Sequence, residues 1–406
     1  MPEFEIQHYV QKKLLDNFAR HTPNGKFKVG FIDTYNFKVG YRNTGKMFYL
    51  RNMYDVRGDD IKALEKKLKT NIEDPMMNIV ERLSKSLDNI VITRKELMII
   101  KKYILIQLYR NYRNMTAYTR PVKGVDISVY DIQEGEGKLD FWKREMGIIL
   151  DQEWDEIIKS DHVSIKKCAL ELHTGFLMFF RTDGEFVIND SGLVNERFPV
   201  EIPVSFHDKF IELARNSGMY YNDERFSDIG EKVAKSELER KSSYFDTCTW
   251  MPLSSNFGVA NVNALFKMLY INPSVISEIK HLLPQDLMKS VPFRHLSLPL
   301  PEYVNQKMMT LNIGNLSEPE LLERYKDEND RYTYKTHLLE KWDTDHFNLL
   351  MMNEVFRYLC FKTPEGVIPA IIEYNKMKAS GLDNIKQNYG GFVDLLKNLP
   401  PFDVCS

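Results

Sequence analysis

Apolar residues recur through residues 5–20 at Ile6, Val10 and Leu14, with Leu15 and Phe18 widening the stripe. That spacing predicts an amphipathic helix, ended by the turn-forming run His21, Thr22, Pro23, Asn24 and Gly25. Over residues 26–41 the period shortens towards two, with Phe27, Val29 and Phe31, then Phe37, Val39 and Tyr41, which predicts a hairpin. Ile61, Leu64, Leu68 and Ile72 predict a second helix. Asp74 and Pro75 open a third, with the proline in the tolerated first turn and a stripe at Met76, Ile79, Val80, Leu83 and Leu87. Thr93 and Glu96 have the spacing of a capping box, opening an apolar helix that runs to about Arg113. Trp142, Met146, Ile149, Leu150, Trp154 and Ile157 give residues 140–159 a broad helical face.

The texture changes after that. Residues 162–188 read as strands, through the run Phe176 to Phe180, a turn at Asp183 and Gly184, and Phe186 to Ile188. Residues 201–217 become helical after Pro203, residues 223–241 are charged and read as exposed, and residues 245–253 read as one more strand. Residues 258–343 read as mostly helical, and residues 345–360 as the last strong helix. The fold class expected is therefore α+β: mostly helical, with a small antiparallel β layer in the middle of the chain. The expected organisation is an N-terminal helical region with a short hairpin (1–160), a β-rich core (161–257), a mostly helical insertion (258–343) and C-terminal helices packing back on the core (344–406).

Composition narrows the function classes only slightly. The 406 residues carry 55 basic and 57 acidic side chains, a net charge of −2, which argues against wholesale electrostatic capture of nucleic acid but permits a local basic groove. Cys168, Cys248, Cys360 and Cys405 are scattered, with no paired spacing, and read as reduced thiols, not a zinc site or disulfide framework. No apolar leader follows Met1, and the longest apolar run, residues 97–109, is interrupted by Lys101, Lys102 and Gln107. A cytoplasmic protein without a membrane partner is expected. Phosphate-binding loops, dinucleotide fingerprints and nucleophile elbows do not occur in the sequence.

His8, Tyr9 and Val10, followed by Leu15 and then Asn17, Phe18 and Ala19, resemble the opening signature of domain-of-unknown-function family 4238, which reads His-Tyr-Val-Pro-Gln-x-x-Leu-Arg-Asn-Phe. Further blocks resemble that family in the same order: Lys46 to Tyr49, Ile61 to Ile79, Gln107 with Arg110, Phe186 to Gly192, Pro252 to Ser255, Asn348, and Arg357 with Tyr358. The family's Pro-Gln pair is Gln11 and Lys12 here, its arginine before Asn17 is Asp16, and its Ser-Asp-Asn-Pro block is Asn189, Asp190, Ser191 and Gly192. The resemblance implies a setting, since members often occur in bacterial anti-phage defence islands. It implies no mechanism.

The candidate chemistry is dispersed. His8 fits a general base or metal ligand, or a histidine that bonds a neighbouring element. Gln107, Arg110 and Asn114 lie on one edge of a helix and suit either a phosphate clamp or an internal polar network. Asp183, Glu185 and Asp190 bracket a strand, where carboxylates can hold a divalent metal or simply form a turn. His346, Leu350, Asn353 and Arg357 share a stripe in a helical reading of residues 345–360, and Asn348 is expected to be buried and hydrogen-bonded. Arg357 is a candidate partner for Asp190. Arg331 and His337 resemble the Arg-x(4–6)-His motif of helical HEPN-type ribonucleases, although Tyr332 departs from its usual polar residue.

The expectation is that His8, Gln107, Asp190, Asn348 and Arg357 converge on one polar pocket. His8 and Asp190 would be catalytic, and Gln107, Arg110, Asn348 and Arg357 would bind substrate, with metal and cofactor unassigned. The function expected first is cleavage of nucleic acid, RNA above all, as a defence effector. The alternative is a non-catalytic sensing or interaction module that meets a protein partner through residues 223–343.

Overall fold

In a computed structural model of the chain, the residues described are 6–55, 62–86, 88–111, 136–159, 163–200, 243–262, 303–305, 327–381 and 385–402. The expected helices at 201–217, the charged stretch at 223–241, and Asn114 and Cys405 lie outside them.

The first described element is a strand. β1 (Ile6–His8) pairs antiparallel with β5 (Tyr49–Arg51), and only the short α1 (Lys12–Asp16) is helical where residues 5–20 were expected to be. The reason is an inverted pattern: Ile6 faces solvent while Gln7 is fully buried, its Oε1 accepting the Tyr54 N–H at 2.5 Å and its Nε2 donating to Asp55 and Glu65. A polar side chain satisfied inside defeats a reading based on apolar spacing.

Among the described residues, three sheets spread through the chain overturn the expectation of a mostly helical fold with a small antiparallel layer. Besides the two-stranded β1–β5 sheet, a five-stranded sheet runs in the order β2 (Arg20–His21), β3 (Phe27–Asp33), β14 (Tyr358–Phe361) and β8 (Ile188–Asn189), with β4 (Lys38–Asn43) also on β3. It joins strands from the beginning, middle and end of the sequence. A seven-stranded sheet runs β12 (Tyr303–Asn305), β13 (Arg331–Leu339), β7 (Phe176–Thr182), β11 (Phe257–Val262), β10 (Ser243–Pro252) and β9 (Val194–Val200), with β6 (Asn89–Thr93) on β13. It is mixed, because β13 and β7 pair in parallel.

The helices pack around these sheets. α2 (Ala63–Leu68) runs through a π-helical turn (Lys69–Glu73) into α3 (Asp74–Ser84), where Pro75 sits in the first turn as expected. α4 (Arg94–Arg110) opens with the expected capping box: Thr93 Oγ1 accepts the Glu96 N–H at 3.2 Å and the Glu96 carboxylate accepts the Thr93 N–H at 2.8 Å. The 140–159 helix divides into α5 (Lys138–Asp151) and α6 (Trp154–Lys159).

Three local expectations are corrected. Residues 163–174 form α7 (Val163–Thr174), not a strand, before β7 begins. Most of 258–343, expected to be mostly helical, lies outside the described residues; those described there include β12, β13 and the end of β11. Arg331 and His337 lie on β13, where Tyr332 and Tyr334 alternate inward against exposed Arg331 and Lys335. Six residues of extended chain separate the pair by about 20 Å, too far to share one phosphate as a helix would allow. The last helix, expected over 345–360, is α8 (Lys341–Asn353), and the chain turns into β14. α9 (Pro364–Ala379) and α10 (Phe392–Lys397) complete the order. No described helix is long and apolar enough to cross a membrane.

Candidate functional site

β1 carries His8 to the rim of the core. Its partner across the pair is Tyr49, with ring centroids 6.2 Å apart, and its Nε2 is buried without a hydrogen-bond partner among the described residues. Burial, reinforced by the Lys12 charge, lowers the imidazole from 6.5 to about 4, so the ring is neutral at pH 7.

Gln107 and Arg110 lie one turn apart at the end of α4, both fully buried. Gln107 Nε2 donates to the carbonyls of Tyr9 (3.0 Å) and Ser191 (2.9 Å), while its Oε1 accepts from Arg110 Nε at 2.7 Å. Arg110 Nη1 donates to Glu73 at 2.5 Å. Burial opposes the guanidinium charge, but Glu73 and the Tyr103 and Tyr54 hydroxyls outweigh it and keep the proton on.

Asp190 is buried, and both carboxylate oxygens accept backbone N–H groups: Phe356 on Oδ1 at 2.9 Å, Arg357 and Tyr358 on Oδ2 at 2.5 and 2.9 Å. Desolvation raises its carboxyl from 3.8 to about 6, against the pull of those donors. The Arg357 guanidinium goes elsewhere, to Asp33 Oδ2 at 3.1 Å. Asn348 bridges a passing segment, accepting the Val187 N–H at 2.9 Å and donating to the Glu185 carbonyl at 2.8 Å.

These residues meet at one crossing, the segment 185–192. Asn348 grips 185 and 187, Asp190 grips 356–358, and Gln107 ties the Ser191 carbonyl to Tyr9 beside His8. Gly192 has φ +73°, and a Cβ there would lie 2.9 Å from Gln107 Nε2, so this turn requires glycine. The other signature blocks close on the same place. The Tyr9 N–H donates to the Phe48 carbonyl, Asn17 Nδ2 to the Leu253 carbonyl, and the Phe186 N–H to the Ser255 carbonyl.

A family model described as "Protein of unknown function (DUF4238)" matches residues 6–223, more than half of the chain. The chain belongs to this family. No curated protein and no solved structure matches it. The DUF4238 match ends at residue 223, yet Leu253, Ser255, Asn348 and the 356–358 turn bond directly to residues inside it.

Among the described residues no group of three His, Cys, Asp or Glu side chains is placed to hold a metal. Glu185 is occupied with the Thr363 N–H and hydroxyl at the start of α9. Several participants carried no sequence signal of their own. Gln7, Tyr54 and Glu73 were not singled out, and Gln11, a departure from the DUF4238 pattern, is buried and accepts from the Tyr103 hydroxyl at 3.1 Å. Asp16, another departure, accepts from Thr44 Oγ1 at 2.6 Å.

Proposed function

We propose that this DUF4238 protein is a recognition module that binds its target without cleaving it, with nucleic acid, RNA above all, as the target class. The observation that carries this reading is the use of Asp190. Three backbone N–H groups occupy its two oxygens, in a buried position where a catalytic carboxylate needs a free lone pair and access to substrate. Arg110, the other candidate for phosphate chemistry, is sealed beneath Glu73, Gln107 and two tyrosines. Arg357 reaches solvent, with 42% of its side chain exposed. A cytoplasmic role in defence against phage is part of the same proposal and rests on the family resemblance.

The test is incubation of the purified chain with end-labelled single-stranded RNA and DNA, with magnesium or manganese added, resolved on a denaturing gel. Intact substrate supports recognition. Cleavage that disappears in Asp190→Asn, in a variant whose unfolding transition matches the wild type, overturns it.

A further inference from the structure

The β3–β4 hairpin and the start of β14 carry a series of guanidinium and aromatic groups that the buried crossing does not use. Arg42 lies 4.6 Å from the Phe31 ring centroid and 5.7 Å from that of Tyr358. Arg357 lies 4.6 Å from Tyr358 on its other contact and 5.9 Å from Tyr35. The order Phe31, Arg42, Tyr358, Arg357, Tyr35 thus alternates ring and cation across one face of the five-stranded sheet, over β4, β3 and β14. Tyr35 ends it in solvent, 83% exposed, and Phe356 beside Arg357 is 46% exposed.

Charge segregates to the same part of the chain. Residues 6–55 hold six lysines and three arginines against three aspartates and no glutamate, although the whole chain is slightly acidic. Among the described residues Arg20, Lys26, Lys38, Arg42 and Lys46, all on or beside this hairpin, form no ion pair. Asp33, the acidic group within the series, is already taken by Arg357 and by the turn at Tyr35 and Asn36.

Exposed rings supply faces on which bases stack, whatever the sequence. Unpaired cations beside them meet a phosphate backbone. A flat lipid surface or an acidic protein would use the charges but not the exposed ring of Tyr35 beside a guanidinium. We infer that this face binds single-stranded nucleic acid, with a base on Tyr35 and phosphates on Arg42 and Lys38. The site deepens the recognition reading and rests on its choice of nucleic acid as the target.

The experiment is fluorescence anisotropy of the full chain with a labelled mixed-sequence RNA of about 20 nucleotides, its DNA counterpart and its duplex, at about 50 and 200 mM salt. Tyr35→Ala removes a ring whose backbone turn is held by Asp33 and stays intact. It is expected to weaken single-strand binding by about 5- to 20-fold and leave duplex binding nearly unchanged. Arg42→Gln and Lys38→Gln are expected to weaken binding and flatten its salt dependence. Glu81→Gln, an exposed helix position, serves as the control and changes nothing. Absence of binding, binding indifferent to Tyr35→Ala and Arg42→Gln, or equal binding to anionic vesicles overturns the inference. The same samples run on a gel separate the two: RNA bound through this face and then cut refutes the claim that the chain does not cleave and leaves the site standing.

Discussion

Asp190→Ala is the most informative single perturbation. It leaves the Phe356, Arg357 and Tyr358 N–H groups without their acceptor. Each unsatisfied buried donor costs about 1–3 kcal/mol, so the sum is about 3–9 kcal/mol. Phe356 is substantially exposed, and water can replace its acceptor, which pulls the sum to the lower half. Removing a buried carboxylate also relieves strain: a rise from 3.8 to about 6 is worth about 3 kcal/mol at neutral pH. The net loss expected is about 0–3 kcal/mol at pH 7 and about 1 kcal/mol more at pH 5, read from urea unfolding. The pH dependence follows with its sign fixed by linkage. A folded-state value raised above the unfolded one gives stability that is full below 3.8 and lost as pH rises through about 6. The wild type therefore gains on Asp190→Ala when the pH falls from 7 to 5, by about 1 kcal/mol. A variant within about 0.5 kcal/mol of the wild type at both pH values would refute the clamp role.

His8 has the opposite sign: its folded value near 4 gives stability present above 6.5 and lost as pH falls through 4, about 2 kcal/mol of it by pH 5. Titration of its ring by NMR should show a midpoint near 4, and a midpoint near 6.5 would contradict the burial argument. Gly192→Ala should lose about 2–3 kcal/mol, because positive φ and the Gln107 contact add, whereas Gly25→Ala, with φ +71° and nothing within 4 Å, should lose about 1 kcal/mol. Equal losses would show that the Gln107 contact is free to relax. Glu73→Gln strips the Arg110 charge of its carboxylate and should lower the unfolding free energy by about 3 kcal/mol, the low end for a broken buried pair because Glu73 is partly solvated. An unchanged urea midpoint would mean that Gln107 and the tyrosines suffice.

Much of the fold is legible where local and tertiary preferences agree. The Thr93–Glu96 box, the β7 run from Phe176 and the 245–253 strand stand as the pattern predicts. The misread elements share a cause: a polar side chain is satisfied from far along the chain. Gln7 points inward to Tyr54 and makes β1 a strand with an exposed isoleucine. α8 stops at Asn353, and the Asp190 carboxylate collects the next backbone donors and directs residues 356–358 into β14. The alternation of Tyr332 and Tyr334 was present in the sequence but was outweighed by the Arg–His spacing. At the site, polarity within apolar elements did identify Gln107, Asp190 and Asn348. A buried amide aimed at a ligand and one aimed at a distant carbonyl leave the same pattern, so their roles became distinguishable only with partners in view. Arg42 and Tyr35 looked like ordinary surface residues because the ring that links them, Tyr358, lies more than 300 positions away.

The central claim is that the DUF4238 signature residues clamp one chain crossing, the 185–192 segment. Native-state hydrogen exchange of the Val187, Gly192, Arg357 and Tyr358 amides tests it most directly, in the wild type, Gln107→Leu and Asn348→Leu. The account predicts that all four open as one unit in the wild type and speed up together in each variant. Amides at 187 and 192 that respond only to their own bonded neighbour, with 357 and 358 unmoved, would contradict it.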